Sequence, residues 1–323
     1  MIGIFKNNLF INSLLLLLYV VVIRIHSIID PKIYVALESD TLITKNIFSI
    51  IGSPLAQNIL AIALVYFHVL FINRLVIKHR LANQITLLPG LIYTMMVSML
   101  PEYNLLTPYL IANTFILVTI SQLFKTYKRP KSADILFNVG FFIALASLFV
   151  SNYILLLLVG LIGLIVLRSM KINEILQLLS GAFLVLLIFS GTLFLLDLEF
   201  LPELLKIRLI PSLDVLAIRG SELYKILIVL VIAIFSVLNY GSYTLKKSIQ
   251  NQKKIDILYW FMFASGIMFF LFDTKSAGQV LIVFIPLSIL MNSTFIDIKN
   301  TMFQEAIHIC LLALLFALNF GLI

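Results

Sequence analysis

The stretch ILQLLSGAFLVLLIFSGTLFLL, residues 175–196, decides what kind of protein this sequence encodes. It contains no charged residue, and as an α-helix it is long enough to cross the roughly 30 Å hydrocarbon core of a bilayer. Similar apolar runs recur along the 323 residues, of which 62% are hydrophobic and 12% charged, and the mean hydropathy is +1.12. A water-soluble protein needs far more polar surface. The sequence therefore predicts an all-α polytopic transmembrane helix bundle.

The apolar runs and their interruptions predict about eleven spans. The spans lie near 9–26, 48–72, 85–100, 105–124, 135–150, 153–167, 174–196, 224–244, 257–272, 277–292 and 304–322. Most connections between them are short, so residues 1–323 are interpreted as a single transmembrane domain. The exceptions are two longer outer loops, 27–47 and 197–223.

The distribution of Lys and Arg predicts the orientation of the chain. With the N-terminus in the cytoplasm, 15 of the 23 Lys and Arg residues fall on the cytoplasmic side and 8 on the other. Cytoplasmic loops are enriched in these residues, so the N-terminus is expected to be cytoplasmic and the C-terminus external. Because the net charge of +8 is distributed over short loops, nucleic acid is not an expected partner.

The first outer loop carries the most suggestive polar residues, in the stretch DPKIYVALESDTLITKN, residues 30–46. Glu38 and Asp40 are separated by one residue, and on an extended backbone their side chains share a face. Two such carboxylates can converge on a divalent cation or a sugar hydroxyl. The alternative is a solvated loop in which the acids only reduce the positive charge.

This arrangement resembles the GT-C superfamily of lipid-linked-sugar glycosyltransferases, which carry an acidic motif in the loop after the first span. The resemblance implies that Glu38 and Asp40 act as catalytic base or as ligands of a divalent cation, the one cofactor expected. A polyprenyl-phosphate donor would need cations at the outer interface, and Arg208, Arg219 and Lys225 are the candidates for holding its phosphate. The alternative for these three is interfacial anchoring or pairing with nearby glutamates.

Three further stretches are similar to an uncharacterised bacterial family of polytopic inner-membrane proteins about 300 residues long. This resemblance implies a multi-pass protein of the bacterial inner (cytoplasmic) membrane and implies no activity. The stretches are MIGIFKNNLFIN (1–12), RLVIKHRLANQITLLPGLIY (74–93) and QVLIVFIPLSIL (279–290).

Four polar residues lie within or at the ends of predicted spans: His68, Asp273, Glu305 and His308. A charge in hydrocarbon is costly, so each is expected to face another helix or a wet cavity. Glu305 and His308 are three residues apart and therefore share a helix face, where they could form a proton relay or a structural hydrogen bond. His68 is interpreted as a packed histidine that a neighbouring helix satisfies.

Two classes of function remain open. The first is a GT-C-like glycosyltransferase or polymerase that uses a polyprenyl-phosphate-linked sugar in envelope biogenesis. The second is a non-catalytic membrane subunit of an envelope assembly or protein-export machine, or a small-solute transporter. The expected partners are the lipid bilayer, a polyprenyl-phosphate lipid and other membrane proteins. Outer loops that fold over a common cavity would favour the enzyme.

Overall fold

The computed structural model describes residues 2–37, 40–129, 131–168, 171–198, 221–245, 247–271, 277–298 and 300–321. Every regular element in those ranges is helical, which confirms the predicted all-α class.

The helices of the first half are α1 (Ile2–Phe5), α2 (Phe10–Ile23), α3 (Ile25–Ile29), α4 (Leu42–Ile50), α5 (Pro54–His79), α6 (Leu88–Val97), α7 (Pro108–Lys125) and α8 (Ala133–Phe149). Those of the second half are α9 (Leu156–Leu167), α10 (Ile172–Leu195), α11 (Ser221–Leu238), α12 (Tyr240–Thr244), α13 (Ile249–Leu271), α14 (Phe284–Asp297) and α15 (Thr301–Asn319). Short 3-10 helices cover Pro101–Asn104, Ser151–Leu155 and Ala277–Ile282.

In the part of the chain that the structure describes, three helices, α5, α10 and α15, are long and apolar enough to cross a membrane. At 1.5 Å per residue, the 26 residues of α5 span about 39 Å, more than the hydrocarbon thickness. The other apolar helices are shorter, among them α2, α6, α8 and α14. The structure thus supports a membrane protein, while the count of eleven spans and the cytoplasmic N-terminus stay predictions.

Sequence signals explain where several helices begin. α7 starts at Pro108, whose missing N–H is not needed in the first turn, and the preceding Thr107 hydroxyl accepts a hydrogen bond from the N–H of Leu110. α15 is capped by Asn300, which accepts bonds from the first N–H groups of the helix. α5 ends where Arg80 adopts a left-handed conformation with φ of 53°.

The two most buried helices, α6 and α14, pack against each other in the centre of the bundle. Nine of the ten residues of α6 are buried, as is the continuous stretch of α14 from Phe284 to Asn292. A helix that is apolar on every side is stable only when it is surrounded. In contrast, α10, α11 and α15 expose large apolar side chains at the periphery, for example Phe183 and Leu187. Those faces suit acyl chains.

Segments that are predicted to share one side of the membrane contact each other in the structure. At one end, Lys6 donates to the side chain of Gln304 at 2.6 Å, and Asn251 donates to the carbonyl of Arg80 at 2.8 Å. At the other end, Asn104 donates to Asn319 at 2.6 Å. This grouping is what a chain that crosses a bilayer back and forth would produce.

The closest helix contact with glycine at its centre is between α8 and α10. A Cβ at Gly140 would overlap the carbonyl oxygen of Leu178, and a Cβ at Gly181 would overlap that of Phe137. The two backbones therefore touch directly, an arrangement that small residues allow between helices in membranes. This contact fixes α10 to the bundle although most of its surface faces outward.

Candidate functional site

The first outer loop is held against the end of α8. The hydroxyl of Thr41 donates to the carbonyl of Leu148 at 2.6 Å, and that of Thr44 donates to the carbonyl of Phe149 at 3.2 Å. Thr41 is also the N-cap of α4. Asp40, the residue before this cap, is therefore positioned by the bundle itself.

The carboxylate of Asp40 organises the loop around it. Its Oδ2 accepts hydrogen bonds from the hydroxyl of Tyr34 at 2.9 Å and from the backbone N–H of Leu37 at 2.8 Å. Burial and the neighbouring Asp40 carboxylate raise the pKa of Tyr34 well above its usual value. The phenol is thus kept protonated as a donor. Glu38 lies outside the described residues, so its pairing with Asp40 stays a prediction.

The predicted divalent-cation site at Glu38 and Asp40 stays a prediction, because Glu38 lies outside the described residues. Within the described ranges, no three His, Cys, Asp or Glu side chains come together as a ligand set. Divalent cations such as Ca²⁺ and Mg²⁺ usually take about six or more oxygen ligands. Asp40 supplies one carboxylate, and its Oδ2 already accepts two hydrogen bonds. The described residues therefore form no cation site here.

Three tyrosines connect the first outer loop with the interior. Tyr34 lies close enough to Tyr109 for the two phenols to interact electrostatically. The rings of Tyr109 and Tyr153 follow, with their centroids 6.5 Å apart. Gly278 lies against the ring of Tyr109 and leaves no room for a side chain at its own position. The fully buried Tyr153 donates its hydroxyl to Asn113 at 3.2 Å.

An apolar groove opens between α11 and α13 at the periphery of the bundle. Its volume is about 760 Å³, and aliphatic side chains of α11 form one wall. The other wall includes the exposed aromatic side chains of Trp260 and Phe263 on α13. Gly266 also lines the groove, and no atom lies within 4 Å of where its Cβ would be. The groove is suited to an aliphatic chain because nearly all of its lining is hydrocarbon.

Beside this groove lies a much smaller and mostly apolar cavity of about 10 Å³, roughly the space that one water molecule needs. Ser265, Phe269 and Gln279 line both the groove and the cavity. Asn152 and Tyr153 also line the cavity, together with the apolar side chains of Val150, Met268 and Ile282. An amphipathic molecule whose chain occupies the groove would therefore meet amide and hydroxyl groups at one end. Tyr153 is also the innermost member of the tyrosine row that starts at the first outer loop.

Arg24 forms a second polar centre inside the bundle. The sequence interpretation counted this arginine only among the cations of the outer side. Arg24 is 0% exposed, and it follows α2 directly. Its guanidinium donates to Ser98 Oγ at 2.9 Å and to the carbonyls of Val97, Tyr103 and Asn104 at 3.0, 3.1 and 3.3 Å. A lone Arg at the end of an apolar run was the one signal in the sequence for such a role.

The C-terminal helix joins the same centre. Asn319 donates to the carbonyl of Ser98 at 2.9 Å and accepts a bond from the side chain of Asn104 at 2.6 Å. Arg24, α6, the 3-10 helix Pro101–Asn104 and α15 are thereby tied together at one end of the bundle. The guanidinium donates to the hydroxyl of Ser98 and to backbone carbonyls that lie at helix ends and lack a partner within the helix.

His68 lies at the centre of α5 with both ring nitrogens bonded. Nδ1 is 2.9 Å from the hydroxyl of Tyr93 on α6, and Nε2 is 2.8 Å from that of Thr114 on α7. The side chain is 0% exposed. Its partners come from two neighbouring helices, so its position is that of a packed histidine.

The last helix pairs His308 with α2. Nε2 of His308 lies 2.8 Å from the hydroxyl of Tyr19, and the two rings stack with centroids 5.8 Å apart. Glu305 is half-buried near the start of α15, where α1 packs. Whether Glu305 and His308 exchange a proton stays a prediction.

The other predicted site residues lie outside what the structure describes. Arg208, Arg219 and Asp273 lie between the described ranges. Lys225 belongs to α11, but its side chain is not among those described. The predicted phosphate-holding role of the second outer loop therefore stays a prediction.

Comparison with known proteins places this architecture in a family without an assigned activity. A family model described as a family of unknown function (DUF6427) matches residues 1–321. No curated protein and no solved structure matches the chain.

Proposed function

The chain belongs to DUF6427, a family of unknown function, and we propose from its geometry that it is a GT-C-like glycosyltransferase or polymerase that uses a polyprenyl-phosphate-linked sugar. One observation carries the proposal. The apolar groove between α11 and α13 ends at Ser265 and Gln279 beside the small cavity at Tyr153, and tyrosines lie between that cavity and Asp40. A lipid substrate and a carboxylate base would thus meet at one end of the bundle.

The groove and the polar side chains at its end match the two parts of such a donor. The polyprenyl chain would lie in the groove, where burial of its hydrocarbon surface contributes about 25 cal/mol per Å². The sugar phosphate would lie at the end of the groove, near the side chains of Ser265 and Gln279, because the cavity of about 10 Å³ beyond them is too small to hold it. In this proposal Arg208 and Arg219 neutralise the phosphate from the second outer loop.

The proposed reaction transfers the sugar to an acceptor hydroxyl. The hydroxyl oxygen attacks the anomeric carbon, and the bond from that carbon to the phosphate oxygen breaks. The polyprenyl phosphate leaves with the electron pair, and the hydroxyl proton passes to the carboxylate of Asp40 and then to water. The phenol of Tyr34 orients the carboxylate by its bond of 2.9 Å to Oδ2.

Lipids that co-purify with the protein test the proposal. Gly266→Phe would fill the groove, because the space beside this glycine is open. Gly191→Phe is the matched control, since Gly191 also has open space around it and lies on α10, away from the groove. Mass spectrometry should find polyprenyl-phosphate species on the wild type and on Gly191→Phe, and a loss of them from Gly266→Phe. Identical phospholipids on all three proteins would refute the proposal.

A second candidate is a non-catalytic subunit of an envelope assembly. It is favoured by the bonds of Asp40 to Tyr34 and Leu37, which give the carboxylate a purely structural task in shaping the loop. Asp40→Asn separates the candidates, because an amide oxygen still accepts both bonds but is not a base. Sugar transfer by purified protein from a radiolabelled polyprenyl-phosphate donor should vanish in this variant if Asp40 is catalytic. No transfer by the wild type either would favour the subunit.

A further inference from the structure

Four basic side chains meet at the end of the bundle opposite to the Asp40 loop. Lys254 comes from α13, Lys78 and His79 from the last turn of α5, and Lys125 from the end of α7. The Nζ of Lys254 lies 3.3 Å from Nδ1 of His79. Lys78, Lys125 and Lys254 are all close enough to His79 for their charges to act on its ring.

The buried members of this cluster have donors to spare. Lys254 is 2% exposed and His79 is 8% exposed. An ammonium group only donates, so Nδ1 of His79 accepts and the neutral ring carries its proton on Nε2. Nε2 is buried, and it has no hydrogen-bond partner among the residues that the structure describes. An unpaired buried donor costs about 1–3 kcal/mol, which a bound acceptor would recover.

Three acidic side chains described at this end have partners outside the cluster, although the charge of Asp134 also acts on Lys125. Asp134 pairs with Arg129 at 3.5 Å, and Glu174 pairs with Arg168 at 2.7 Å. Asp256 accepts a bond from the hydroxyl of Tyr240 at 2.7 Å. The charge of the lysine cluster is therefore not balanced by these carboxylates.

The lowered pKa values of two lysines agree with an excess of positive charge in the cluster. Lys254 lies before the predicted span 257–272, and burial lowers its pKa to about 8. Burial also lowers the pKa of Lys125, with further contributions from the charges of Lys78 and Arg129. A buried cation is stable when an anion accompanies it, so the cluster favours an anionic ligand.

We propose that Lys254, His79, Lys78 and Lys125 form a binding site for a phosphate group. Lys254 and the Nε2–H of His79 are its buried donors, and Lys78 and Lys125 supply further positive charge. The phosphate belongs either to an anionic lipid of the adjacent leaflet or to a soluble phosphorylated compound. This site is at the far end of α5 from the proposed catalytic end and does not depend on that function.

Thermal unfolding of the delipidated full-length protein in detergent tests the site. The probes are dioleoylphosphatidylglycerol, dioleoylphosphatidylcholine and inorganic phosphate. Dioleoylphosphatidylglycerol should stabilise the protein at concentrations where dioleoylphosphatidylcholine does not. Stabilisation by inorganic phosphate as well indicates a soluble ligand, and stabilisation by the anionic lipid alone indicates a lipid headgroup. If phosphate has no effect and the two lipids act equally, the proposal is wrong.

Neighbouring lysines supply the matched variants. Lys254→Met keeps the buried chain but removes the charge, and it should weaken anion binding about tenfold, as expected for the loss of a charge-assisted hydrogen bond. Lys253→Met is the control. The Nζ of Lys253 lies over the ring of Tyr127, 6.0 Å from its centroid, and Lys253 is not one of the four residues of the proposed site. Lys78 is exposed, so Lys78→Gln weakens binding without affecting folding. Equal losses from Lys253→Met and Lys254→Met would show nonspecific attraction and overturn the proposal.

Discussion

The hydroxyl of Tyr34 donates a 2.9 Å hydrogen bond to Oδ2 of Asp40 and so ties the first outer loop to a single carboxylate. Asp40→Ala removes this acceptor and that of the Leu37 N–H, and we expect it to destabilise the loop by about 1–3 kcal/mol. Asp40→Asn keeps an acceptor and should cost less. Hydrogen exchange of the Leu37 amide measures the difference, and equal protection in both variants would contradict it.

Arg24 ties the end of α2 to the end of α6 and to the 3-10 helix Pro101–Asn104. Arg24→Met leaves the carbonyls of Val97, Tyr103 and Asn104 without their donor in an apolar environment, so we expect a loss of about 3 kcal/mol in the free energy of unfolding. Arg74→Met is the control, because Arg74 is exposed on α5 and should change stability by less than about 0.5 kcal/mol. Unfolding in mixed micelles measures the free energy of unfolding of both variants. Similar small losses of this free energy in both would mean that the hydrogen bonds of the Arg24 guanidinium contribute little.

Gly140 sets the distance between α8 and α10. Gly140→Val places a side chain against the carbonyl of Leu178, so the helices must separate, at an expected cost of about 2 kcal/mol. Gly191→Val on the same α10 meets open space and should be tolerated better. The melting temperatures of the two variants test this, and the prediction fails if Gly191→Val is the more damaging.

The buried amine of Lys254 predicts a specific pH dependence. Burial lowers its pKa from 10.5 to about 8, so between these values the unfolded chain binds a proton that the folded chain does not. Stability should therefore rise as the pH increases from about 8 to 10, and this rise should be absent from Lys254→Met. Added phosphate should reduce it, because an anion favours the charged amine. Lys253→Met serves as the control and should keep the wild-type slope.

Composition and apolar periodicity were enough to predict the helical class and the membrane environment. The runs at 48–72, 174–196 and 304–322 correspond to the three described helices that are long and apolar enough to cross a membrane, because a single apolar segment satisfies its backbone in lipid only as a helix. The run at 85–100 contains α6, whose 10 residues span only about 15 Å. Hydropathy does not distinguish a helix that is buried in protein from one that is buried in lipid.

The candidate site depended on contacts that no local pattern encodes. The acidic loop stood out in the sequence, yet the two bonds to Asp40 and the tyrosine row behind it join residues from separate segments. The groove exists only because α11 and α13 lie side by side. The sequence places Arg24 and Lys254 among the cations of the connecting loops, whereas in the folded protein both side chains are buried.

The sequence alone determined which segments leave water. The free energy of moving a side chain from water into an apolar environment depends on its own chemistry and on that of its near neighbours in the chain. Which polar groups meet inside the bundle was decided by the packing of helices that are distant in the chain. A buried Arg or Lys must find its partners wherever the fold brings donors and acceptors together. The pairing of Arg24 with Ser98 and that of Lys254 with His79 therefore belong to the tertiary structure.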